Sequence, residues 1–81
     1  MKTIHDPRYV RLVAALKQRR HQLGMSQDDV AVKLGCCRTR VVKVEQRELR
    51  LDVLGYWHWC GVLKMNPGRL LALLGEENPP A

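Results

Sequence analysis

The sequence is poor in aromatic residues and has no long apolar run. It contains no phenylalanine, and aromatic residues make up only 5% of its 81 residues. No stretch approaches the roughly 20 apolar residues that a membrane-spanning helix needs. The first residues lack the charged, apolar and small-residue regions of a signal peptide. These absences predict a small, single-domain, cytoplasmic protein with no membrane partner.

Cysteine is also scarce, and its spacing does not fit a disulfide or metal framework. Of the three cysteines, Cys36 and Cys37 are adjacent, which disfavours a bond between them. There is no Cys-x-x-Cys motif, and His58 and Cys60 are too few ligands for a metal. Nor is there a nucleophile–base pair, a glycine-rich phosphate loop or a paired acidic site. We expect reduced thiols and no metal, cofactor, small-molecule ligand or catalysis; a redox or metal switch at Cys36–Cys37 stays open.

Positive charge is the feature that the chain has in excess. The sequence contains fourteen lysines and arginines and eight acidic residues, which gives a net charge of +6. A basic domain of this kind favours an acidic partner. Nucleic acid is the first candidate and an anionic membrane surface the second.

Cap signals and apolar periodicity predict five short helices. Helix starts are indicated by Asp6-Pro7, Ser26, Asp52 and Asn66-Pro67. Glycines at positions 24, 35 and 75 indicate helix ends. The organisation that follows is a flexible arm over residues 1–6, a domain over residues 7–75 and a flexible tail over residues 76–81.

The last two predicted helices carry more apolar surface than a small core can bury. We expect the fourth helix to face inward with Val53, Tyr56, Cys60 and Leu63, flanked by Trp57 and Trp59. In the fifth helix, leucines cover more than half of the circumference. Such a surplus predicts a partner surface. The candidate dimer interface consists of Trp57, Leu70, Leu73 and Leu74.

The stretch from Met25 to Gln46 predicts two short helices joined by a tight turn at Gly35. Ser26 and Asp29 have the spacing of a capping box at the start of the first helix. The inner apolar positions are Val30, Ala31, Leu34, Val41 and Val44. The outer face of the second helix is basic and carries short polar side chains. A helix with such a face, held against a second helix, can enter a DNA major groove.

This stretch resembles the helix-turn-helix of the phage-repressor family (lambda repressor and Cro-like, XRE-type). The family pattern is approximately L-S-Q-x-x-L-A-x-x-x-G-V-S-x-x-x-I-S-x-x-E. The chain matches it without gaps at Met25-Ser26-Gln27, Val30-Ala31, Gly35-Cys36-Cys37, Val41-Val42 and Glu45. The resemblance implies an all-α, compact five-helix bundle of the lambda-repressor-like DNA-binding type with a central helix-turn-helix.

The resemblance also implies a function and a partner. Small members of this family bind double-stranded DNA as homodimers, with one recognition helix in each half of a palindromic operator, and regulate transcription, most often as repressors. We therefore expect a bacterial or phage-encoded protein associated with the nucleoid.

Site residues follow from the positions that match the family pattern. Those expected to reach DNA bases are Arg38, Thr39, Val42 and Lys43. Those expected to bind phosphates are Ser26, Gln27, Arg40, Arg47 and Arg50. At the positions of Arg47 and Lys64 the family often has glycine.

A structural ion pair is expected between Arg20 and Glu45. By helical phase Arg20 lies on the apolar face of the first helix, where an unpaired charge is costly. In the family an arginine at this position pairs with the glutamate that ends the recognition helix, which corresponds to Glu45. The alternative is that Arg20 extends to solvent or to a phosphate.

Two other function classes stay open at this point. One is a protein-interaction or antitoxin-type module with the same fold. The other is a charge-driven binder of nucleic acid or anionic membrane without sequence preference. The basic outer face of the predicted recognition helix favours specific DNA binding over the first.

Overall fold

Five α-helices follow one another in the computed structural model, which describes residues 5–75 and the side chains of residues 5–72. They span Pro7–Gln22 (α1), Gln27–Leu34 (α2), Arg38–Glu45 (α3), Val53–Val62 (α4) and Pro67–Gly75 (α5). None of the helices within residues 5–75 is long and apolar enough to cross a membrane. The predicted tail and residues 1–4 of the predicted arm lie outside the described residues.

Side-chain caps mark the starts of α1 and α2, whereas α3 begins without a side-chain cap. The Asp6 carboxylate accepts a hydrogen bond from the Arg8 amide at 2.8 Å, and the Arg8 side chain holds the pKa of Asp6 at about 2. Ser26 Oγ accepts from the Asp29 amide at 3.0 Å, and the Asp29 carboxylate accepts from the Ser26 amide at 2.8 Å. This reciprocal pair is the predicted capping box, and it satisfies two amides that the first turn leaves without helical partners.

The core lies between the helices, where their apolar faces meet. Helix α2 packs against α3 and α4, while α1 packs against α3 and α5. The most deeply buried side chains of the core are those of Leu16, Val30, Val41, Val44, Trp59, Cys60 and Leu63. A side-chain hydrogen bond closes the carboxyl-terminal end of the bundle, where the Tyr56 hydroxyl donates to the Pro67 carbonyl at 2.7 Å.

Helix α4 is rotated relative to the prediction. Trp59 is only 2% exposed and belongs to the core, whereas Val53 is 81% exposed. The inner arc of the helix is centred between Trp59 and Cys60, and Val53 lies at its edge in the first turn. Leu51, just before the helix, is 9% exposed and packs in the core at this end of α4. The prediction that Val53 faces the core is therefore wrong.

Helix α5 uses one of its leucines for the core. Leu70 is 6% exposed, whereas Leu71, one residue later, is 50% exposed. This corrects the expectation for Leu70, because a side chain buried in the bundle is not available to a second molecule. The side chains of Leu73 and Leu74 lie outside the described residues.

Two basic residues adopt the left-handed backbone conformation. Arg47 follows α3 with φ +62°, and Lys64 follows α4 with φ +57°. Residues that have a Cβ atom adopt this backbone conformation at an energetic cost that glycine avoids. The backbone at both positions thus keeps the conformation suited to the glycine that the resemblance implies.

Candidate nucleic-acid interface

The turn between α2 and α3 sets the direction of α3. Gly35 has φ +73°, and the Cys36 amide donates to the Ala31 carbonyl at 3.0 Å, which closes the end of α2. Cys37 then lies in an extended conformation before the first turn of α3. Val41 and Val44 are 0% and 1% exposed in the core. Burial of these two valines fixes which side of α3 faces outward.

The outward side of α3 carries the four residues predicted to reach bases. Their spacing of i, i+1, i+4 and i+5 places them on one stripe of the helix, and we call this the recognition stripe: Arg38, Thr39, Val42 and Lys43. Val42 is half-buried and the other three are exposed. Arginine and lysine fit the acceptors of guanine, and threonine or valine methyls fit the methyl group of thymine. The stripe can therefore make both kinds of base-edge contact.

Four of the five residues predicted to bind phosphate lie before or after this stripe in the sequence, and Arg40 lies within its span. Ser26 and Gln27 stand at the amino end of α2, and Arg47 and Arg50 follow α3. Arg40 and Arg50 are exposed, and Arg47 is half-buried. Backbone amides at a helix start, together with the helix dipole, favour an anion.

The side chain of Gln27 has a partner that the sequence did not indicate. Its Nε2 donates to Glu45 Oε1 at 3.1 Å. The Ser26 hydroxyl, in turn, accepts the capping bond. At this end of α2, a phosphate would therefore meet mainly backbone amides.

Arg20 and Glu45 form a bidentate ion pair that joins α1 to α3. Arg20 Nε donates to Glu45 Oε2 at 2.7 Å, and Arg20 Nη2 donates to Glu45 Oε1 at 2.9 Å. The two side chains are only 8% and 4% exposed. Arg20 Nη1 also donates to the Met25 carbonyl at 2.9 Å. Together with Gln27, the pair links α1, α2 and α3 and constrains the angle at which α3 is presented.

An acidic residue beside the recognition stripe was not predicted. Asp28 Oδ1 lies 3.8 Å from Arg38 Nε, and both side chains are more than 60% exposed. Such an exposed, long contact contributes little to stability. Asp28 and Arg38 are ten residues apart on different helices, so neither periodicity nor spacing indicated their proximity. The contact leaves Arg38 free to exchange this carboxylate for an acceptor on DNA.

The cysteines differ in exposure. Cys37 is exposed beside the recognition stripe, Cys36 is half-buried, and Cys60 is buried. Burial raises the pKa of the Cys60 thiol, which keeps it protonated and unreactive. Within the described residues, no group of three or more His, Cys, Asp or Glu side chains could hold a metal ion.

Comparisons with known proteins agree with this architecture. No protein-family model matches the chain, and no curated protein matches it significantly. Among solved structures, the chain is similar to an XRE-family like protein from Pseudomonas syringae pv. tomato str. DC3000. The sequence identity is 36% over 96% of this chain and 95% of that one, with a TM-score of 0.85. The match confirms the predicted resemblance and the predicted all-α, five-helix fold.

Proposed function

Because the chain belongs to the XRE family, whose helix-turn-helix proteins are non-enzymatic DNA binders, we propose that it is a sequence-specific transcriptional regulator. In this proposal α3 lies in the major groove and the recognition stripe contacts base edges. Phosphates on either side are bound by Ser26, Gln27, Arg40, Arg47 and Arg50. The prediction that the chain is not an enzyme agrees with its family.

The observation that carries the proposal is the combination of a rigid inner side and a basic outer side in one eight-residue helix. Val41 and Val44 are buried, and the Arg20–Glu45 pair holds the end of α3. Arg38, Thr39 and Lys43 remain exposed on the opposite side. A helix whose orientation is fixed can place a few side chains reproducibly against base edges, which is what sequence discrimination requires.

The proposal includes repression by a homodimer on a palindromic operator. A two-fold symmetric protein presents two identical helices, so its preferred site repeats with opposite orientation about one DNA turn apart. Occupation of such a site can exclude RNA polymerase from an overlapping promoter. We place this activity in a bacterial cytoplasm, because the regulator must reach chromosomal or phage DNA and the similar solved protein is bacterial.

Selection of bound sequences from random duplex DNA tests the proposal. We expect a palindromic consensus from the wild type. Arg38→Ala should alter the preferred bases within each half-site, because this residue belongs to the recognition stripe. Arg40→Ala is the matched control, since it removes the same charge from the flank of the same helix. It should lower affinity for all sequences alike.

Two results would contradict the proposal. Recovery of no consensus from the wild type would argue against sequence-specific binding. If Arg38→Ala only reduced affinity, and by the same factor on every sequence, the base-contact role of Arg38 would be wrong.

A further inference from the structure

The outer side of α4 is uncharged in a protein whose net charge is +6. The whole helix, VLGYWHWCGV, contains no lysine, arginine, aspartate or glutamate. Its outward stripe, which we call the α4 face, consists of Val53, Leu54, Trp57, His58 and Gly61. Val53, Leu54 and Trp57 are 81%, 68% and 58% exposed. Three large apolar side chains exposed on one helix mark an interaction surface.

A groove of about 450 Å³ adjoins the α4 face. Trp57, His58 and Gly61 of the α4 face line it on one side, together with apolar side chains that include Leu34 and Val62. Among the described residues that line the groove, Lys33 is the one lysine, arginine, aspartate or glutamate. A Cβ added to Gly61 would meet no atom within 4 Å. Packing within one molecule therefore does not require glycine here, although glycine weakens a helix interior. The missing side chain leaves room for something from outside.

Trp57 and Gly61 lie one helical turn apart on the same face. One offers a large exposed indole ring, and the other offers an empty space beside a groove. A two-fold axis perpendicular to α4 and passing between them would bring Trp57 of each copy over Gly61 of the other, because in such an interface residue i contacts j and j contacts i. The α4 face is thus complementary to itself.

We propose that the protein dimerises through antiparallel packing of the α4 faces of two copies, with each Trp57 in the groove over Gly61 of the other. This deepens the homodimer of the proposed function, on which it rests, by assigning its interface. Charge favours the α4 face as the contact between two copies. Two molecules of net charge +6 repel each other, so they can approach most closely through a surface that carries no charged side chains, and α4 is such a surface. The groove includes no residue of the recognition stripe, so both stripes stay available for DNA.

The assignment keeps Trp57 from the expected dimer interface but replaces the α5 leucines of that expectation with the α4 face. Of the α5 leucines whose side chains are described, Leu70 is buried and Leu71 is half exposed. The α4 face has three large apolar residues that are each more exposed than Leu71. It also has the adjoining groove.

Sedimentation equilibrium of the full chain from low to high micromolar concentration tests this interface, with folding checked by circular dichroism. We expect the wild type to dimerise. Trp57→Ala removes the inserted ring and Gly61→Leu fills the space, and each should raise the dimer dissociation constant about thirtyfold or more. Gly61→Leu should melt at a higher temperature than the wild-type monomer, because leucine is the better helix former. This second variant separates loss of the interface from loss of the fold.

Val32→Ala is the matched control, because Val32 is 80% exposed on α2 and lies outside the groove. It should dimerise as the wild type does. If both α4 variants dimerise like the wild type, the interface lies elsewhere and the inference is wrong, while the homodimer stands. A wild type that stays monomeric, free and on DNA, also overturns the inference and leaves the groove to another occupant. Binding to a selected half-site, measured in parallel, judges the DNA-binding proposal independently.

Discussion

At the scale of single residues, Arg20 is a charged side chain buried in the described core. Its exposed fraction is 7%, and its hydrogen bonds to the Glu45 carboxylate and the Met25 carbonyl hold it in place. Moving two charges out of water is costly, and their attraction restores about as much as was lost. The pair with Glu45 therefore contributes mainly to the geometry between α1 and α3, on which presentation of the recognition stripe depends.

Removal of one member of this pair should be strongly destabilising. We expect Arg20→Ala to lower the free energy of unfolding in urea by about 3–5 kcal/mol, because Glu45 is left charged and buried. The double replacement Arg20→Met with Glu45→Met should recover most of that loss, since it leaves no buried charge. A single variant that costs under about 1 kcal/mol, or a double variant no more stable than the single, would contradict this view.

The left-handed backbone conformation of Arg47 and Lys64 gives a second prediction for single residues. At an ordinary helix position alanine is more stable than glycine by about 0.5–1 kcal/mol. At positions 47 and 64 we expect the reverse, with glycine more stable than alanine by about 1 kcal/mol, because φ is positive at both. Thermal melts of the alanine and glycine variants at each position measure the difference.

Ala14 supplies the control, because it is exposed in the middle of α1. Ala14→Gly should lower the melting temperature. Alanine variants at positions 47 and 64 that match or exceed the glycine variants would show that the left-handed backbone is not maintained there.

At the scale of elements, the helix boundaries were predictable because the signals are local. Ser26 with Asp29, and glycine at position 35, act within one or two turns of the chain, so their spacing alone identifies them. The rotation of α4 was not predictable, because apolar residues surround that helix and leave no clear polar side. For the same reason the sequence did not show that, in α5, Leu70 would be buried and Leu71 exposed. The Asp28–Arg38 and Gln27–Glu45 contacts depend on how helices pack, which spacing does not encode.

The capping box of α2 gives this element a dependence on pH. Hydrogen bonds from Ser26 hold the pKa of the Asp29 carboxylate below its ordinary value of 3.8. Because the folded-state pKa is the lower one, the stabilisation is complete above about pH 4 and is lost as the pH falls through the folded value. The melting temperature of the wild type should therefore fall more between pH 4 and pH 2 than that of Asp29→Asn.

Asp28→Asn is the control for this experiment. It removes the same charge one residue earlier, outside the capping box. Its melting temperature should follow the wild-type pH dependence more closely than that of Asp29→Asn does. Identical acid sensitivity in the two variants would mean that the Asp29 cap does not cause the effect.

At the scale of the whole molecule, charge and apolar surface are separated. The recognition stripe and the arginines near it are basic, whereas α4 is uncharged and apolar outside. A protein built this way can approach polyanionic DNA with one surface and a second copy with another. The family fold and its general partner were predictable from the helix-turn-helix pattern. The operator was not, because flexible arginine and lysine side chains and DNA shape both contribute to it.

Affinity measured against salt concentration distinguishes sequence-specific DNA binding by this protein from binding through charge alone. Binding of a selected palindromic duplex and of a random duplex should be followed from about 50 to 200 mM salt. Three arginines per copy are proposed to bind phosphates, so a dimer should give a log–log slope of about −5 or steeper on both duplexes. We expect the selected duplex to bind at least about 10³-fold more tightly than the random duplex at physiological salt. Equal affinities for both duplexes at every salt concentration would contradict this expectation and would leave charge alone as the basis of binding.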